Sequence, residues 1–390
     1  MRIDILRKKV RSNKIYQKLK FWIISKLYIF PIQNNKIIFD NFGGKGFGDD
    51  PKYIAEELLR RNLGLKIIWV TAVDHIDIPD GINTVKYGTI RAAYHWITAK
   101  VWVDNIKSTI RPSKRNGQYY IQTWHSTLGF KKNEEDAENL PRRYVEQAKT
   151  DGKQIDLMYS DNEFRCDKYR NHFWYSGEVL KCDVPRVGEL LKHDESRFNK
   201  VYGNLKIDSR NKIVLYAPTF RKNVDKSIYY MNTDIICKTL AKKYGKPFEF
   251  VIRLHPNDAE IADEIAKDMH VINATGYPDM QELLAVAEVL ITDYSGCMFD
   301  FSFARKPVFL LAKDVQQYIQ KERKWYFSLD EVPFDLNQSE KELIDSIEKF
   351  DKERYMHQCK LFENEIGFFD SGNGAKIIAD RIVEQMKRRL

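Results

Sequence analysis

The sequence has few cysteines and lacks the common metal-binding motifs. Its 390 residues include five cysteines, at Cys166, Cys182, Cys237, Cys297 and Cys359. The number is odd and no pair has CxxC spacing, which argues against a disulfide framework and against a cysteine zinc cluster. We therefore expect free thiols in a reducing cytoplasm. HExxH and DxD motifs are also absent, so we expect no metal and no other cofactor.

Long hydrophobic runs are absent as well. The most apolar stretch, FWIISKLYIF, covers residues 21–30, contains Lys26 and ends at Pro31. It is too short to span a membrane, which takes about 20 apolar residues, and no small-residue cleavage site follows it. Eight Lys or Arg residues against one acid precede it. Residues 1–31 thus predict a basic helix that lies on an anionic membrane surface or, alternatively, packs on the protein's own surface.

The charge balance favours anionic partners. The net charge is +9 and the pI is about 9.0, which suits nucleic acid, a phosphate-rich substrate or an acidic membrane. A nucleic-acid-binding protein would have basic and aromatic residues interleaved across its domains. Here the basic charge is concentrated at the N-terminus, so we expect no nucleic-acid partner.

The order of apolar segments predicts two doubly wound α/β domains. Near-continuous apolar runs alternate with helical patterns, as is typical of parallel strands buried on both faces. The predicted strands are 36–39, 65–70, 101–104, 119–124, 157–160, 212–218, 248–254, 270–273, 289–293 and 307–311. A polar stretch at 198–212 separates two such sets, with a hinge at about 195–210. We expect an acceptor domain at 32–200 and a nucleotide-donor domain at 201–390.

Polar residues follow two of the predicted strands in a pattern that suits catalysis. His125, Ser126 and Thr127 come directly after YYIQTW, where a histidine can act as a general base. Arg253 and His255 lie on one face of the strand VIRLHP, an arrangement that suits a phosphate. Taken singly, each of these histidines also fits a structural role.

Two further strand ends supply groups for a nucleotide. Pro218 and Thr219 end the strand in LYAPTFRKN, and Thr219 with the basic pair Arg221 and Lys222 is expected to face the cleft or its rim. Ser295 and Gly296 follow the strand in LITDYSG and begin a helix whose N–H groups suit a phosphate. Asp300, on that helix, is expected to accept from a ribose or polyol hydroxyl. A solvated charge pair and a capped helix are the alternatives at these two places.

In combination, these strand ends predict a transferase that uses a nucleotide-activated donor. Four motifs, TWHSTLGFKK, LYAPTFR, RLHPN and ITDYSGCMFDFSFARKPVFLL, occur in this order. Together with FGGKGFGDDPKYIAEELLRRN and YIQKERKWYF, they resemble the CDP-glycerol glycerophosphotransferase family of teichoic-acid and capsule biosynthesis. The resemblance covers about residues 36–385.

The resemblance implies a GT-B-like fold of two Rossmann-type domains that face a deep cleft. It implies transfer of glycerol phosphate, or a related polyol phosphate, from a CDP-linked donor to a hydroxyl of a lipid-linked acceptor, with release of CMP. The enzyme would work at the cytoplasmic face of the cell membrane as a peripheral protein. A GT-B glycosyltransferase that uses a nucleotide-sugar is the main alternative.

The resemblance also implies roles for individual residues. His125 and His255 would be catalytic. The residues implied to contact the CDP-polyol are Ser126, Thr127, Arg186, Pro218, Thr219, Arg253, Ser295, Gly296 and Asp300. Three motifs depart from the usual pattern: Ser126 stands where glycine is usual, Gly296 where a second serine is usual, and VGELLKHD after Arg186 where Asn-Asp is usual. The identity of the transferred polyol is therefore left open.

Overall fold

The computed structural model describes residues 14–107, 111–221, 225–321 and 324–388. Its first element is helix α1 (Lys14–Lys26), followed by a 3-10 turn at Leu27–Ile29. The first 13 residues lie outside the described part, so the basic N-terminal helix predicted over 1–31 stays a prediction. Across the described ranges, no helix combines the length and apolarity needed to cross a membrane.

Two parallel sheets form the framework of the chain. The first contains β1 (Gln33–Asp40), β2 (Lys66–Thr71), β3 (Ile82–Lys86), β4 (Ala99–Asp104), β5 (Tyr119–Gln122), β6 (Leu157–Ser160) and β7 (Glu178–Lys181). The second contains β8 (Lys212–Tyr216), β9 (Phe248–Ile252), β10 (Ile272–Asn273), β11 (Val289–Thr292), β12 (Val308–Leu311) and β13 (Asp335–Asn337). Their strand orders are β3-β2-β1-β4-β5-β6-β7 and β10-β9-β8-β11-β12-β13. In each sheet the order in which the chain adds strands reverses once, between β1 and β4 and between β8 and β11. This reversal confirms the predicted doubly wound, GT-B-like α/β class.

Helices cover the sheets. They are α2 (Asp49–Arg60), α3 (Ile90–Thr98), α4 (Arg142–Gly152), α5 (Glu163–His172), α6 (Pro185–Leu190), α7 (Glu195–Leu205), α8 (Thr233–Tyr244), α9 (Ala259–Asp268), α10 (Met280–Val286), α11 (Cys297–Phe303), α12 (Val315–Lys321), α13 (Glu340–Lys349), α14 (Lys352–Ile366) and α15 (Gly374–Lys387). Several begin at side-chain caps, as at Asn162, whose Oδ1 accepts from the Arg165 N–H at 2.7 Å. Such caps satisfy N–H groups that have no partner within the helix.

The sequence predicts the central strands but misses three strands at sheet edges. β3, β7 and β13 are each paired on one side only. Their sequences INTVK, EVLK and DLN contain polar residues at exposed positions and no continuous apolar run. An edge strand has one open side, so its sequence lacks the signature of a strand buried on both faces.

The last helix returns to the first half of the molecule. Phe369 N donates to Asp161 O at 2.8 Å, and Gly374 passes so close to Asp183 that a Cβ there would lie 2.3 Å from its carbonyl oxygen. α15 then packs Ile378 and Ile382 into the core beneath the first sheet. The predicted division at 200/201 groups α15 with the second half by sequence position; that division stays a prediction. The predicted hinge region contains α7.

All five cysteines are unpaired, as predicted from their number and spacing.

Candidate active site

The first candidate region lies at the ends of β1 and β4, the neighbouring strands between which the strand order of the first sheet reverses. Asn105 follows β4 and is fully buried. Its side-chain amide donates to Asn41 Oδ1 at 2.7 Å and to Asp49 Oδ2 at 3.0 Å. Its Oδ1 accepts from the Phe42 N–H at 2.8 Å. One side chain thus fixes the loop after β1 and the start of α2, at the place where such sheets bind ligands.

His125 lies beside this amide and is oriented by its backbone. The His125 Nδ1 atom is 2.8 Å from the Asn105 carbonyl oxygen. A carbonyl only accepts, so Nδ1 carries the proton and the neutral ring has its lone pair on Nε2. The ring stacks on Trp124 at 4.5 Å and meets the edge of Phe42 at 5.5 Å.

The surroundings of His125 favour the neutral form of its ring, and part of the side chain is accessible from solvent. Desolvation by the surrounding protein lowers its pKa, and this outweighs the hydrogen bond to Asn105 and the charge of Asp49, which both raise it. The preceding Trp124 has a φ of 58°, a left-handed conformation that is costly for a bulky residue. Strain of this kind is found where a side chain has to be aimed. The arrangement makes Nε2 a proton acceptor near neutral pH.

Three of the predicted contact residues form a buried network between the halves. Thr127 Oγ1 donates to Asp300 Oδ1 at 2.6 Å and accepts from Arg186 Nη2 at 2.8 Å. Arg186 Nε donates to Asp300 Oδ2 at 3.0 Å, and Nη1 donates to Asp49 Oδ1 at 2.8 Å. Gln281 also donates to Asp300 Oδ2, at 3.0 Å. Both oxygens of Asp300 thus have protein donors, and the network fixes one half against the other.

The second candidate region is the corresponding point of the second sheet, between β8 and β11. Asp293 follows β11, and its Oδ1 accepts from the Thr219 N–H at 2.8 Å and from the Tyr294 N–H. Pro218 is buried, and the Oγ1 atom of Thr219 is buried without a hydrogen-bond partner in the described ranges. A buried hydroxyl without a partner is costly, so this one is ready for a ligand.

The expected position of Arg221 is wrong. Arg221 is buried rather than at the rim, where its guanidinium pairs with Asp293 at 2.7 Å and with Asp314 at 2.6 Å. Burial of the charge is possible because two carboxylates and the Thr219 carbonyl, at 2.7 Å, satisfy its donors. Lys222 lies outside the described residues.

Arg253 and His255 follow β9 in the same half. Arg253 is half-buried and donates from Nη2 to the Tyr277 carbonyl at 3.1 Å. His255 is exposed, and its Nδ1 accepts from the Asn257 N–H at 3.1 Å. The neutral ring therefore carries its proton on Nε2, the reverse of His125. Desolvation lowers the pKa of His255, and the positive charges of Lys45 and Lys131, both from the first half, add to this effect.

Ser295 and Gly296 lie at the start of α11. Both are half-buried, and a Cβ at Gly296 would meet no atom within 4 Å. Space therefore remains open beside this turn. Among the residues that the structure describes, no three His, Cys, Asp or Glu side chains form a group that could hold a metal ion. The expectation that the site works without a metal stays a prediction.

The sequence interpretation missed Asn105, Lys45 and Arg165. Asn105 follows β4 as His125 follows β5, so the same strand-end argument would have found it. Lys45 is exposed on a loop whose Gly44 has a φ of 82°; a Cβ there would lie 2.5 Å from the Ala72 nitrogen. Arg165 had no sequence signal, because it lies inside an ordinary helical pattern.

Comparisons with known proteins agree with this architecture. A profile of the family described as CDP-Glycerol:Poly(glycerophosphate) glycerophosphotransferase matches residues 23–384. The chain is 27% identical over 372 residues to a teichoic acid poly(glycerol phosphate) polymerase of Staphylococcus epidermidis, covering 92% of this chain and 52% of the relative. It is 25% identical to a teichoic acid glycerol-phosphate transferase of Staphylococcus aureus, covering 96% of this chain and 98% of the relative.

A solved structure gives the same result for the fold. The wall teichoic acid polymerase TagF, as a histidine-to-asparagine variant soaked with CDPG, superimposes with a TM-score of 0.83 at 25% identity, covering 99% of this chain and 98% of that one. This chain spans about half the length of the S. epidermidis relative. The family profile spans nearly the whole chain and favours phosphoryl transfer over the nucleotide-sugar alternative. The chain belongs to the CDP-glycerol:poly(glycerophosphate) glycerophosphotransferase family.

Proposed function

We propose that this chain transfers glycerol phosphate, or a related polyol phosphate, from a CDP-linked donor to a hydroxyl of a lipid-linked acceptor. The reaction releases CMP and serves teichoic-acid or capsule-type polymer synthesis. The observation that carries the proposal is that the two histidines have opposite tautomers. His125 presents a lone pair at Nε2, while His255 presents an N–H there.

The two histidines suit the two requirements of phosphoryl transfer to an alcohol. The acceptor hydroxyl gives its proton to Nε2 of His125 as its oxygen forms a bond to the phosphorus that carries the polyol. The anhydride bond to the other phosphorus breaks, and CMP leaves with the bonding electron pair. The Nε2–H of His255 and the guanidinium of Arg253 stabilise the negative charge on the phosphoryl oxygens.

In this proposal the two halves divide the substrates. Residues 201–390 bind the CDP-polyol through Pro218, Thr219, Ser295 and Gly296, while residues 32–200 bind the acceptor. The buried network that fixes the halves together contains Thr127, Arg186 and Asp300.

The donor is tested by thermal shift and by transfer of a labelled polyol phosphate. We expect CDP-glycerol or CDP-ribitol to stabilise the protein and to support transfer to a lipid-linked acceptor. UDP-sugars are the comparison ligands. Like the CDP-polyols they are nucleotide-activated donors, but transfer from them occurs at carbon and not at phosphorus. Stabilisation by UDP-sugars alone would overturn the proposal.

We also propose that α1 and the 3-10 turn after it hold the enzyme on the anionic, cytoplasmic face of the membrane, where a lipid-linked acceptor lies. Phe21, Trp22 and Ile29 are 76%, 58% and 78% exposed, although Phe30 packs edge-on against Tyr94 at 5.3 Å. Large apolar side chains at such exposure, next to lysines, suit a lipid interface.

The membrane proposal is tested by cosedimentation with vesicles of phosphatidylglycerol and phosphatidylcholine. We expect replacement of Phe21, Trp22 and Ile29 by serine to release the protein and to lower activity on lipid acceptor. Activity on a soluble acceptor should not change. Unchanged sedimentation of the variant would contradict the role of α1.

A further inference from the structure

Arg165 is a buried cation without a carboxylate partner among the residues that the structure describes. Its side chain on α5 is 0% exposed. The Nη2 atom donates to Ser126 Oγ at 2.8 Å, whereas Nε and Nη1 are buried without a hydrogen-bond partner in the described part of the chain. Buried arginines are normally paired with carboxylates, because an unpaired charge away from water is costly. The position of Arg165 therefore calls for an explanation.

The aromatic side chains that pack against the guanidinium supply no negative charge. The guanidinium lies over the rings of Tyr169, at 5.1 Å, and Phe173, at 5.3 Å. Burial raises the pKa of Tyr169 to about 12, so its phenol is neutral near pH 7. Gly129, with a φ of 79°, gives the guanidinium its space, because a Cβ there would lie 3.0 Å from Nη2. The structure thus places an uncompensated positive charge under the loop that carries His125.

Ser126 connects this charge to the candidate active site. The residue is half-buried and follows the exposed His125. Its oxygen accepts from Arg165, so its own proton points elsewhere, and the described residues provide no acceptor for that proton. The inward side is occupied by Arg165, which leaves the side open to solvent. A hydroxyl that accepts from a cation is polarised and becomes a stronger donor.

We propose that Ser126 and Arg165 form an anion subsite in the first half, where the Ser126 hydroxyl donates to a non-bridging oxygen of the phosphoryl group being transferred. Arg165 is a positioning residue: it orients and polarises Ser126 without touching the substrate. The inference rests on the proposed function for the identity of the anion. It assigns to the first half one of the donors that stabilise the charge of the reacting group.

The subsite is tested first with Ser126→Ala, which removes the donor and also the hydrogen-bond acceptor of Arg165, so thermal melting first checks that the variant is folded. We expect kcat/KM for a CDP-polyol to fall on the order of 10- to 100-fold, the range for a hydrogen bond to a charged group. The affinity for inorganic pyrophosphate, measured by calorimetry without turnover, should also fall. Ser346→Ala is the matched control, a half-buried serine whose hydroxyl donates to Asn337.

Arg165→Met tests the positioning role by a readout that loss of structure would not produce. The charged groups that act on His125 are Asp49, Arg186 and Arg165, and Arg165 lowers its pKa. Loss of this charge should raise the pKa of His125, so the acid limb of the kcat/KM profile should move to higher pH. Ser126→Ala should leave that limb in place. In the double variant, the loss in kcat/KM should be smaller than the product of the single losses.

The outcomes separate this inference from the proposed function. If the wild type transfers polyol phosphate while Ser126→Ala matches it in kcat/KM and in pyrophosphate affinity, the subsite is overturned and the function stands. If no CDP-polyol supports transfer but Ser126→Ala still weakens pyrophosphate binding, the subsite stands and the function falls. If Arg165→Met does not fold, the Ser126→Ala results alone decide the subsite.

Discussion

The two halves share a strand topology, yet the points where their sheets change direction carry different groups. In the first half, the neutral side-chain amide of Asn105 joins the strand ends, and the backbone carbonyl of the same residue orients His125. In the second half, a carboxylate, Asp293, joins them and is paired with Arg221, while the Thr219 hydroxyl has no partner in the described ranges. In the proposed function, the first half supplies the proton acceptor, and the second half supplies the groups that bind the CDP-polyol.

The strongest test of this comparison replaces the two histidines separately. We expect His125→Asn to lower kcat by about 10²–10⁴-fold, because a general base is lost. We expect His255→Asn to lower kcat by about 10²–10³-fold, the range for one donor to a developing negative charge. Transfer of labelled glycerol phosphate from CDP-glycerol measures both, and His357→Asn, exposed on α14, is the control.

The pH dependence distinguishes the two histidines. The base works in its neutral form, so kcat/KM of the wild type falls as the pH drops through the pKa of His125. Desolvation lowers that pKa, which places the limb below the ordinary histidine value of about 6.5. The limb should persist in His255→Asn and vanish in His125→Asn. Persistence of the limb in His125→Asn would break the comparison.

A second test replaces the side chains that join the strand ends. Asn105→Ala keeps the backbone carbonyl that orients His125 but releases the loop after β1 and the start of α2 beside it, so we expect kcat to fall by roughly 10- to 100-fold with little change in the KM for the donor. Asp293→Asn removes a charge partner of Arg221 and loosens the Thr219 loop, so we expect the donor KM to rise. Steady-state kinetics with varied CDP-glycerol measure both parameters.

Stability measurements accompany this second test. Asp293→Asn leaves Arg221 with Asp314 as its remaining carboxylate partner in the described ranges, so the variant should lose stability to heat. Asn105→Ala should also melt earlier, because it removes three buried hydrogen bonds. If both substitutions changed the same kinetic parameter, the division of roles between the halves would be wrong.

The sequence predicted the strands that are buried on both faces and the strand ends that carry polar residues. The run KIVLYAP shows why, since β8 lies at the centre of its sheet and continuous apolar residues are required there. The position of His125 followed from the end of β5. Its tautomer did not, because that depends on the carbonyl of Asn105, 20 residues earlier.

Contacts between distant residues account for what the sequence did not predict. Arg221 was expected to face the cleft or its rim, but it is buried against Asp314, which lies 93 residues further along the chain. That Asp300 accepts from a ribose or polyol hydroxyl stays a prediction, whereas no pattern in the sequence indicated that Thr127, 173 residues earlier, donates to it. Local patterns carry no information on such pairings, so they yield the chemical type of a site residue and not its partner.

The smallest expected effect concerns two threonines at the centre of the second half. Thr219→Val removes a hydroxyl that is buried without a partner in the described ranges, so stability should be unchanged or should rise by up to about 1 kcal/mol. The donor KM should rise a few-fold, since a ligand contact is lost. Thr292→Val is the matched variant: its Oγ1 donates to the Ala217 carbonyl at 2.7 Å, so it should lose about 1 kcal/mol.

Thermal melting and donor kinetics of these two variants decide whether the second half is prepared for a ligand. Opposite signs of the stability change would show that the Thr219 hydroxyl is held for the substrate at the expense of the fold. Equal destabilisation would mean that the Thr219 hydroxyl has a protein partner. The difference between the two halves would then rest on Arg253 and His255 in the second half and His125 in the first. The two substitutions are chemically identical, and both positions lie near the ends of β8 and β11, so the hydrogen-bond partner of each hydroxyl is the main difference under test.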